Sequence, residues 1–577
     1  MKNMLVLIVF ILLPVNPSIS ETLSLKDPSM YLRLHANDAV RWQKWDSSIL
    51  EQAVRENKLI FISSGFSACH WCHVMRKESF NDAQVAELIN TSFIPVKIDR
   101  QEQPVLDAYL LGFLKKIKGT AGWPLNILMT PQGYPLTGFV YLDKDSLKTV
   151  LVNLLQEWTN RSSELPGVAK DAYLQQRKLN DRFLEVKPDY LFTVYKDEVK
   201  NRMDELKGGL DSTVKFPMPY VLKTLLVMYE KSQEEWLKEF LQLTLQEMLQ
   251  GGLHDPIAGG FFRYTTDPYW ETPHFEKMLY VNVSMIDLYL KAYEIFNNDK
   301  WLRVAEETMQ FLIAEMKTTQ GEFISSLLSQ DVNDTEGGSY LIDKTVVSND
   351  DIKKLTEHVR LVEFAETGAF LPMGFIGVDG EAIRERFLRY RSNNPVLREE
   401  NVNKSWNAYL LIVLLSLDHL SELDYSKELQ ALYRNLDKYL QAEEEMSLSE
   451  LAYFSKAYWK WGIDKNSVEA LTKSKYLFDK ALREFKRDDG WQESKDAIVP
   501  MLNIKRNIKD GDLVAADVML AELSGYFVGK IENARRLKVA ESVANKPLEY
   551  SGFIGFLLQG VVDIAAPENK QQMKVVE

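Results

Sequence analysis

Cysteine is nearly missing from this 577-residue chain, which has two, at positions 69 and 72. None lies near Ser20, which excludes a lipid-modified N-terminus. Basic charge is also in deficit: 69 Lys and Arg stand against 82 Asp and Glu, a formal net charge of −13. That balance argues against a nucleic-acid or anionic-membrane partner. After the first residues no stretch reaches the roughly 20 apolar residues that a spanning helix needs. No fixed-period repeat marks an α-solenoid. What remains is an ordinary globular composition, 46% hydrophobic and 26% charged. The length calls for two or three domains, because single cores stop growing near about 250 to 300 residues.

The N-terminal stretch MKNMLVLIVFILLPVNPSISETL has one basic residue, Lys2, an apolar run from Met4 to Leu13, and Ser18 and Ser20 before Glu21. This is the shape of a signal peptide over residues 1–20. The expected protein is periplasmic or secreted, with no stable membrane span after cleavage. In an oxidising compartment a vicinal cysteine pair persists as a disulfide. A staple across so short a loop constrains the unfolded chain little, so a redox couple is favoured.

Both cysteines fall in FSACHWCHVM, Phe66 to Met75. A CxxCH string reads as a haem attachment site, a metal site or a redox dithiol. The flanks favour the third. Leu59 to Ile62 is an apolar β-rich run ending in Ser63, Ser64 and Gly65, and Val74 to Phe80 continues as helix. The dithiol therefore opens a helix, where free amides and the helix dipole favour a thiolate. Cys69 is the expected nucleophile and Cys72 the resolving thiol, with His70, Trp71 and His73 tuning the pair. Downstream come a strand, Ser92 to Asp99, a helix over Pro104 to Lys116, and Gly122-Trp123-Pro124 before the strand Leu125 to Met129. A proline at that point is where a cis bond is held next to a dithiol. The β-CxxC-α-β-α-(Pro)β order is that of the thioredoxin fold, with Pro124 a third catalytic residue. A haem site wants a small helical domain instead of strands. Zinc on Cys69, Cys72 and His73 lacks an identifiable fourth ligand, so no cofactor and no metal is expected.

From about Pro188 the texture changes to amphipathic helices, among them Tyr220 to Tyr229, Trp236 to Leu249, Phe275 to Phe296, Lys300 to Met316, Trp406 to Leu420 and Ser447 to Trp461. Successive hairpins around a centre would make an (α/α) toroid, and the segment from about Gly321 to Arg398 would form loops over one mouth. One string there is chemically dense: GGLHDPIAGGFFRYTTDPYWETPHFEKMLY, Gly251 to Tyr280. His254, Asp255, Arg263, Tyr264, Trp270, His274 and Glu276 suit a polar pocket with aromatic walls that binds a sugar or peptide, and a carboxylate or His/Glu pair suits general acid/base work. The alternative is that these side chains cap helices and tie loops together.

The runs SGFSACHWCHVMRKESFND, DRQEQPVLDAY and GTAGWPLNILMTPQGYP resemble the spermatogenesis-associated protein 20 family, the DUF255 or YyaL-type thioredoxin-like proteins. The Gly251 to Tyr280 string and Ser405 to Asn407 are similar to further family signatures. After the expected signal peptide (1–20), the resemblance implies an α/β thioredoxin-like domain (21–187) and an all-α (α/α) toroid of the six-hairpin glycosidase kind (188–577). Pro256, Phe262, Val281 and the Glu399-Glu400-Asn401 string depart from the family pattern, and Ser329 to Glu336 matches it poorly. Most of these changes remove a titratable group from the supposed pocket. The expected function is a thiol:disulfide oxidoreductase with a protein thiol or disulfide partner and a toroid that binds a client or glycan. The alternative is a glycosidase or sugar epimerase with an accessory redox domain.

Overall fold

The computed structural model describes residues 22–180, 182–364, 367–442, 445–487, 490–492, 509–527 and 537–560. The expected signal peptide lies outside them. The chain opens with α1 (Met30–His35) and α2 (Ser47–Glu56), then β1 (Leu59–Gly65) and α3 (His70–Met75), which runs on into a π turn, Arg76–Phe80. There follow α4 (Ala83–Ser92), β2 (Phe93–Asp99), α5 (Pro104–Lys118), β3 (Leu125–Met129), β4 (Pro135–Phe139), α6 (Lys144–Arg161) and α7 (Leu165–Asn180). The strands form one sheet in the order β2-β1-β3-β4, with β1 parallel to β2 and antiparallel to β3. Every residue of β1, β2 and β3 is buried, as expected of central strands covered on both faces. The α5 helix shows how local chemistry sets the ends: Pro104 starts it, and Gly119, at φ 79°, stops it in a left-handed conformation. The thioredoxin order expected from the sequence is present.

A short strand, β5 (Phe183–Val186), leads into the helical part: α8 (Pro188–Arg202), α9 (Pro219–Ser232), α10 (Glu235–Gln250), β6 (Tyr264–Thr265), β7 (Pro273–His274), β8 (Lys277–Met278), α11 (Leu279–Phe296) and α12 (Asp299–Phe311). An irregular stretch follows, with β9 (Ser326–Leu327), α13 (Asn349–Leu355), β10 (Arg360–Glu363), β11 (Phe370–Met373), α14 (Glu381–Arg391) and β12 (Arg398–Glu399). The chain then runs through α15 (Lys404–Leu420), α16 (Ser426–Gln441), α17 (Leu448–Asp464), α18 (Val468–Phe485), β13 (Lys486–Arg487), β14 (Gly490–Trp491), α19 (Ala516–Phe527), β15 (Leu537–Ala540), α20 (Glu541–Asn545) and α21 (Ser551–Gly560).

Among the described residues α9, α11, α15, α17, α19 and α21 each pack on the next, and α21 returns to α9. The ring closes, which an open solenoid does not do. Outside it, α10, α12, α16 and α18 pack on α9, α11, α15 and α17, while α8 lies beside α20 and α21. The sequence explains the layers. The inner helices α11 and α15 bury residues nearly all round, from Leu279 to Ala292 and from Ser405 to Leu417, whereas the outer α12 and α16 bury one stripe and expose charge. This is an (α/α) toroid of six helical hairpins. Strand β15 pairs with β5, so the end of the toroid returns to the connector from the first domain. Among the described residues no helix is long and apolar enough to cross a membrane.

One expected element is corrected. The helix expected from Phe275 begins at Leu279, and residues 273–278 are extended. PHFEKM alternates polar and apolar residues with a period of two up to Glu276, which suits a strand, and β7 and β8 each pair with a neighbour.

Candidate functional site

The dithiol stands where β1 gives way to α3. Cys69 is the N-cap of that helix, and its Sγ accepts the Cys72 amide at 3.3 Å. Cys69 and Cys72 form a disulfide. Both are buried, at 5% and 2% exposure. His73, one turn on, donates from Nε2 to the Ser67 carbonyl at 2.6 Å, which fixes its ring in the helix entry. Burial lowers its basicity. The Trp123–Pro124 peptide bond is cis, as the sequence leads one to expect. Pro124 is buried. Asn126, two residues on, donates to Met75 Sδ at 3.4 Å and to the Pro124 carbonyl at 3.5 Å, tying the start of β3 to the dithiol helix.

This face of the first domain is seated on the toroid. Arg100, which follows β2, forms a two-point ion pair with Asp512, at 2.8 and 2.7 Å. Its guanidinium lies 4.2 Å from the centre of the Trp123 ring. Trp123 itself donates to Asp107 at 2.9 Å. From the toroid Arg263 reaches the same aromatic platform, 5.1 Å from the Phe66 ring and 5.2 Å from Trp123. Planar guanidinium groups on aromatic faces are attracted by the ring quadrupole, more strongly when water is excluded.

A strap from the irregular segment crosses the motif. Ser329 donates to the Ala68 carbonyl at 3.4 Å, and the Gln330 amide lies 3.2 Å from His70 Nδ1. Glu336 closes on the other side of the ring, 3.4 Å from His70 Nε2, and Lys77 pairs with Asp334 at 2.9 Å. His274 completes the enclosure: its ring centre is 6.2 Å from that of His70, and its Nε2 is 3.7 Å from Glu336. Burial, then the proximity of His274, lowers the pKa of His70 to about 4. Beside the Cys69–Cys72 disulfide the imidazole is therefore neutral near pH 7.

Of the toroid residues singled out in the sequence, the structure brings four to this mouth and turns three away. Arg263 Nη1 donates to Glu276 at 2.8 Å and Nε donates to Tyr280 at 3.2 Å. His274 stacks on Tyr264 with ring centres 5.0 Å apart. The extended backbone explains the sorting, since alternate side chains point to opposite faces. His274 and Glu276 face the dithiol, while Phe275 packs on Tyr340 and Lys277 reaches inward to Asp255. The other three are corrections to the expected pocket. Asp255 is held at both oxygens by Arg391, at 2.9 and 2.7 Å, and by Lys277 at 2.8 Å. His254 donates from Nδ1 to the Gly374 carbonyl at 3.1 Å and is buried. Trp270, at φ 65°, is fully buried and donates to the Lys207 carbonyl at 2.9 Å. Gly209 is needed for that indole: a methyl group there would sit 2.7 Å from the Trp270 ring. These three residues tie loops together. Phe262 and Val281, where the family pattern differs, are also buried apolar positions.

Two cavities are described, of about 350 Å³ between α18 and α19 and about 310 Å³ beside Glu247 and His358. Neither is lined by Cys69, His274 or Glu276. What the mouth can do chemically is thiol–disulfide exchange at Cys69, in a setting of closely held ionisable groups. Arg100, Asp512 and Gln330 were not singled out in the sequence. Local patterning carries no sign of them, because their neighbours here are tens to hundreds of residues away.

Residues 21–176 match the family described as "Protein of unknown function, DUF255". The chain is similar to spermatogenesis-associated protein 20 of Rattus norvegicus, at 31% identity over 348 residues, covering 57% of this chain and 44% of that protein. It thus spans less than half the length of that relative. Among solved structures, a D-mannose isomerase aligns over 64% of this chain and 83% of its own, at 11% identity and a TM-score of 0.38. A DsbH oxidoreductase aligns over 20% of this chain and 85% of its own, at 16% identity and a TM-score of 0.18. Residues 21–176, which have the thioredoxin-like order, thus match the DUF255 family, in a chain similar to spermatogenesis-associated protein 20.

Proposed function

We propose that the chain is an exported thiol:disulfide oxidoreductase that works through Cys69 and Cys72. The observation that carries this reading is the position of Cys69: its sulfur caps the helix that it opens, where an amide hydrogen bond stabilises a thiolate. An incoming thiolate attacks the Cys69 sulfur, the Cys69–Cys72 bond breaks, and Cys72 takes the electron pair. A second thiolate of the partner then attacks the partner's own sulfur in that mixed disulfide, Cys69 leaves with the electron pair, and the oxidised partner departs from the reduced dithiol. The client is a protein thiol or disulfide, and the toroid holds the reacting face. Sugar turnover is the weaker reading, because Glu276 is already paired with Arg263 and His274 faces the thioredoxin-like domain.

Equilibration of the mature protein with glutathione buffers, followed by mass-tagging of free thiols, tests this. A reversible two-electron couple within the range of known dithiol enzymes is expected, from about −270 to −120 mV. A disulfide that stays closed below about −300 mV would be a structural staple and would end the redox reading.

A further inference from the structure

Tyr31 enters the surroundings of the dithiol from α1, outside the strands and helices that make the thioredoxin order. It is fully buried, at 0% exposure, and its hydroxyl has no hydrogen-bond partner. Leaving a buried hydroxyl unpaired costs about 1–3 kcal/mol, and nearly all such groups in folded proteins are paired. Gly65, the last residue of β1, shows where the hydroxyl points. A methyl group at Gly65 would lie 2.3 Å from the Tyr31 oxygen and 2.7 Å from the Cys72 sulfur. Oxygen and sulfur thus line the same methyl-sized gap, which only glycine leaves open.

A disulfide sulfur is a poor acceptor, whereas a thiolate is a strong one, and hydrogen bonds to ionised acceptors are about twice as strong as neutral ones. We propose that Tyr31 is a positioning residue for the exchange reaction, its hydroxyl donating to the Cys72 sulfur once the pair is reduced. This rests on the redox reading above and adds which group receives the leaving thiolate. When the Cys69–Cys72 bond breaks, its electron pair goes to Cys72, and the phenol steadies that charge by a hydrogen bond without giving up its proton. Burial, then the carboxylates of Asp99 and Asp38, holds the phenol well above its usual pKa, so it remains a donor. The neighbouring hydroxyl of Ser64 on β1 is engaged elsewhere, donating to Asp107 at 2.6 Å.

The substitution Tyr31→Phe in the full chain tests this, because it removes one oxygen and keeps the ring. Equilibrium with glutathione should move roughly tenfold toward the disulfide, about 30 mV for a two-electron couple. The oxidised variant should melt at or above the temperature of the unchanged protein, since it sheds an unpaired polar group. A folded variant with an unchanged equilibrium constant would overturn the proposal. So would a loss of thermal stability in the oxidised form, which would show the hydroxyl to be a structural ligand. If the unchanged protein never reduces in these buffers, the redox reading itself fails, and the two failures are separable.

Discussion

Serine in place of Cys72 should turn the protein into a trap. With the resolving thiol gone, a disulfide reagent or partner that reaches Cys69 forms a mixed disulfide that nothing in the chain resolves, and it should persist through gel filtration. Serine in place of Cys69 should leave Cys72 silent toward the same reagents. Two structural differences support this asymmetry. The Cys69 sulfur receives the Cys72 amide, and charge there meets the positive end of the helix. Cys72 lies deeper, at 2% exposure. At Cys69 the helix and its amide are the identified sources of thiolate stabilisation. A difference in alkylation rate on the order of a hundredfold at mildly acidic pH follows if they lower the Cys69 pKa by about two units below the free-thiol value. Faster labelling of Cys72, read by peptide mass spectrometry, would reverse the roles of the two cysteines.

Replacing Asp255 by alanine should cost about 3–5 kcal/mol of stability, because it strands Lys277 and Arg391 in the core. The lower end of that range is expected: Lys277, whose pKa burial already lowers, can shed its proton, whereas Arg391 cannot. The sign with pH is fixed by the shift. Burial alone would raise the Asp255 carboxyl, but Arg391 and Lys277 hold it far below the usual carboxylate range. Its stabilisation is therefore fully present above the unfolded pKa of about 3.9 and is lost progressively as the pH falls below that value. Urea unfolding at pH 7 and at pH 3 measures both effects. The variant should be much weaker at pH 7, and the gap should narrow in acid. An Asp255 variant of unchanged stability that loses ligand binding would instead restore the pocket role that its burial argues against.

The fate of the Gly251 to Tyr280 string shows how far the sequence could be read. Its residue types suggested a pocket, and four of the seven do meet at the mouth. The other three serve the core, and composition alone cannot tell the two groups apart. The pattern of PHFEKM held a better clue, since alternation puts His274 and Glu276 on one face and Phe275 on the other. Treating it as the start of a helix hid that sorting. The aromatic pair Phe66 and Trp123 was legible only as apolar residues near the dithiol. Its stacking against Arg100 and Arg263 depends on how the two domains meet.

What the sequence determined by itself was local. The apolar run before Gly65, Cys69 at the head of a helix, the proline before β3 and the 3.6-residue periodicity of the later helices each rest on neighbours a few residues apart. Backbone hydrogen bonds and side-chain direction settle such features within a turn or a strand. The tertiary structure decided everything that joins distant segments: Arg100 to Asp512, the strap residues Gln330 and Glu336 over His70, and Tyr31 beside Cys72. Those partners are separated by tens to hundreds of residues, and no local preference encodes their meeting. Tyr31 and Cys72 meet within the first domain, and the other pairs meet because α21 closes the ring onto α9 and the first domain docks by its dithiol face. Burial then does the rest, since a charge or hydroxyl removed from water must be met by whatever group the packing brings within reach.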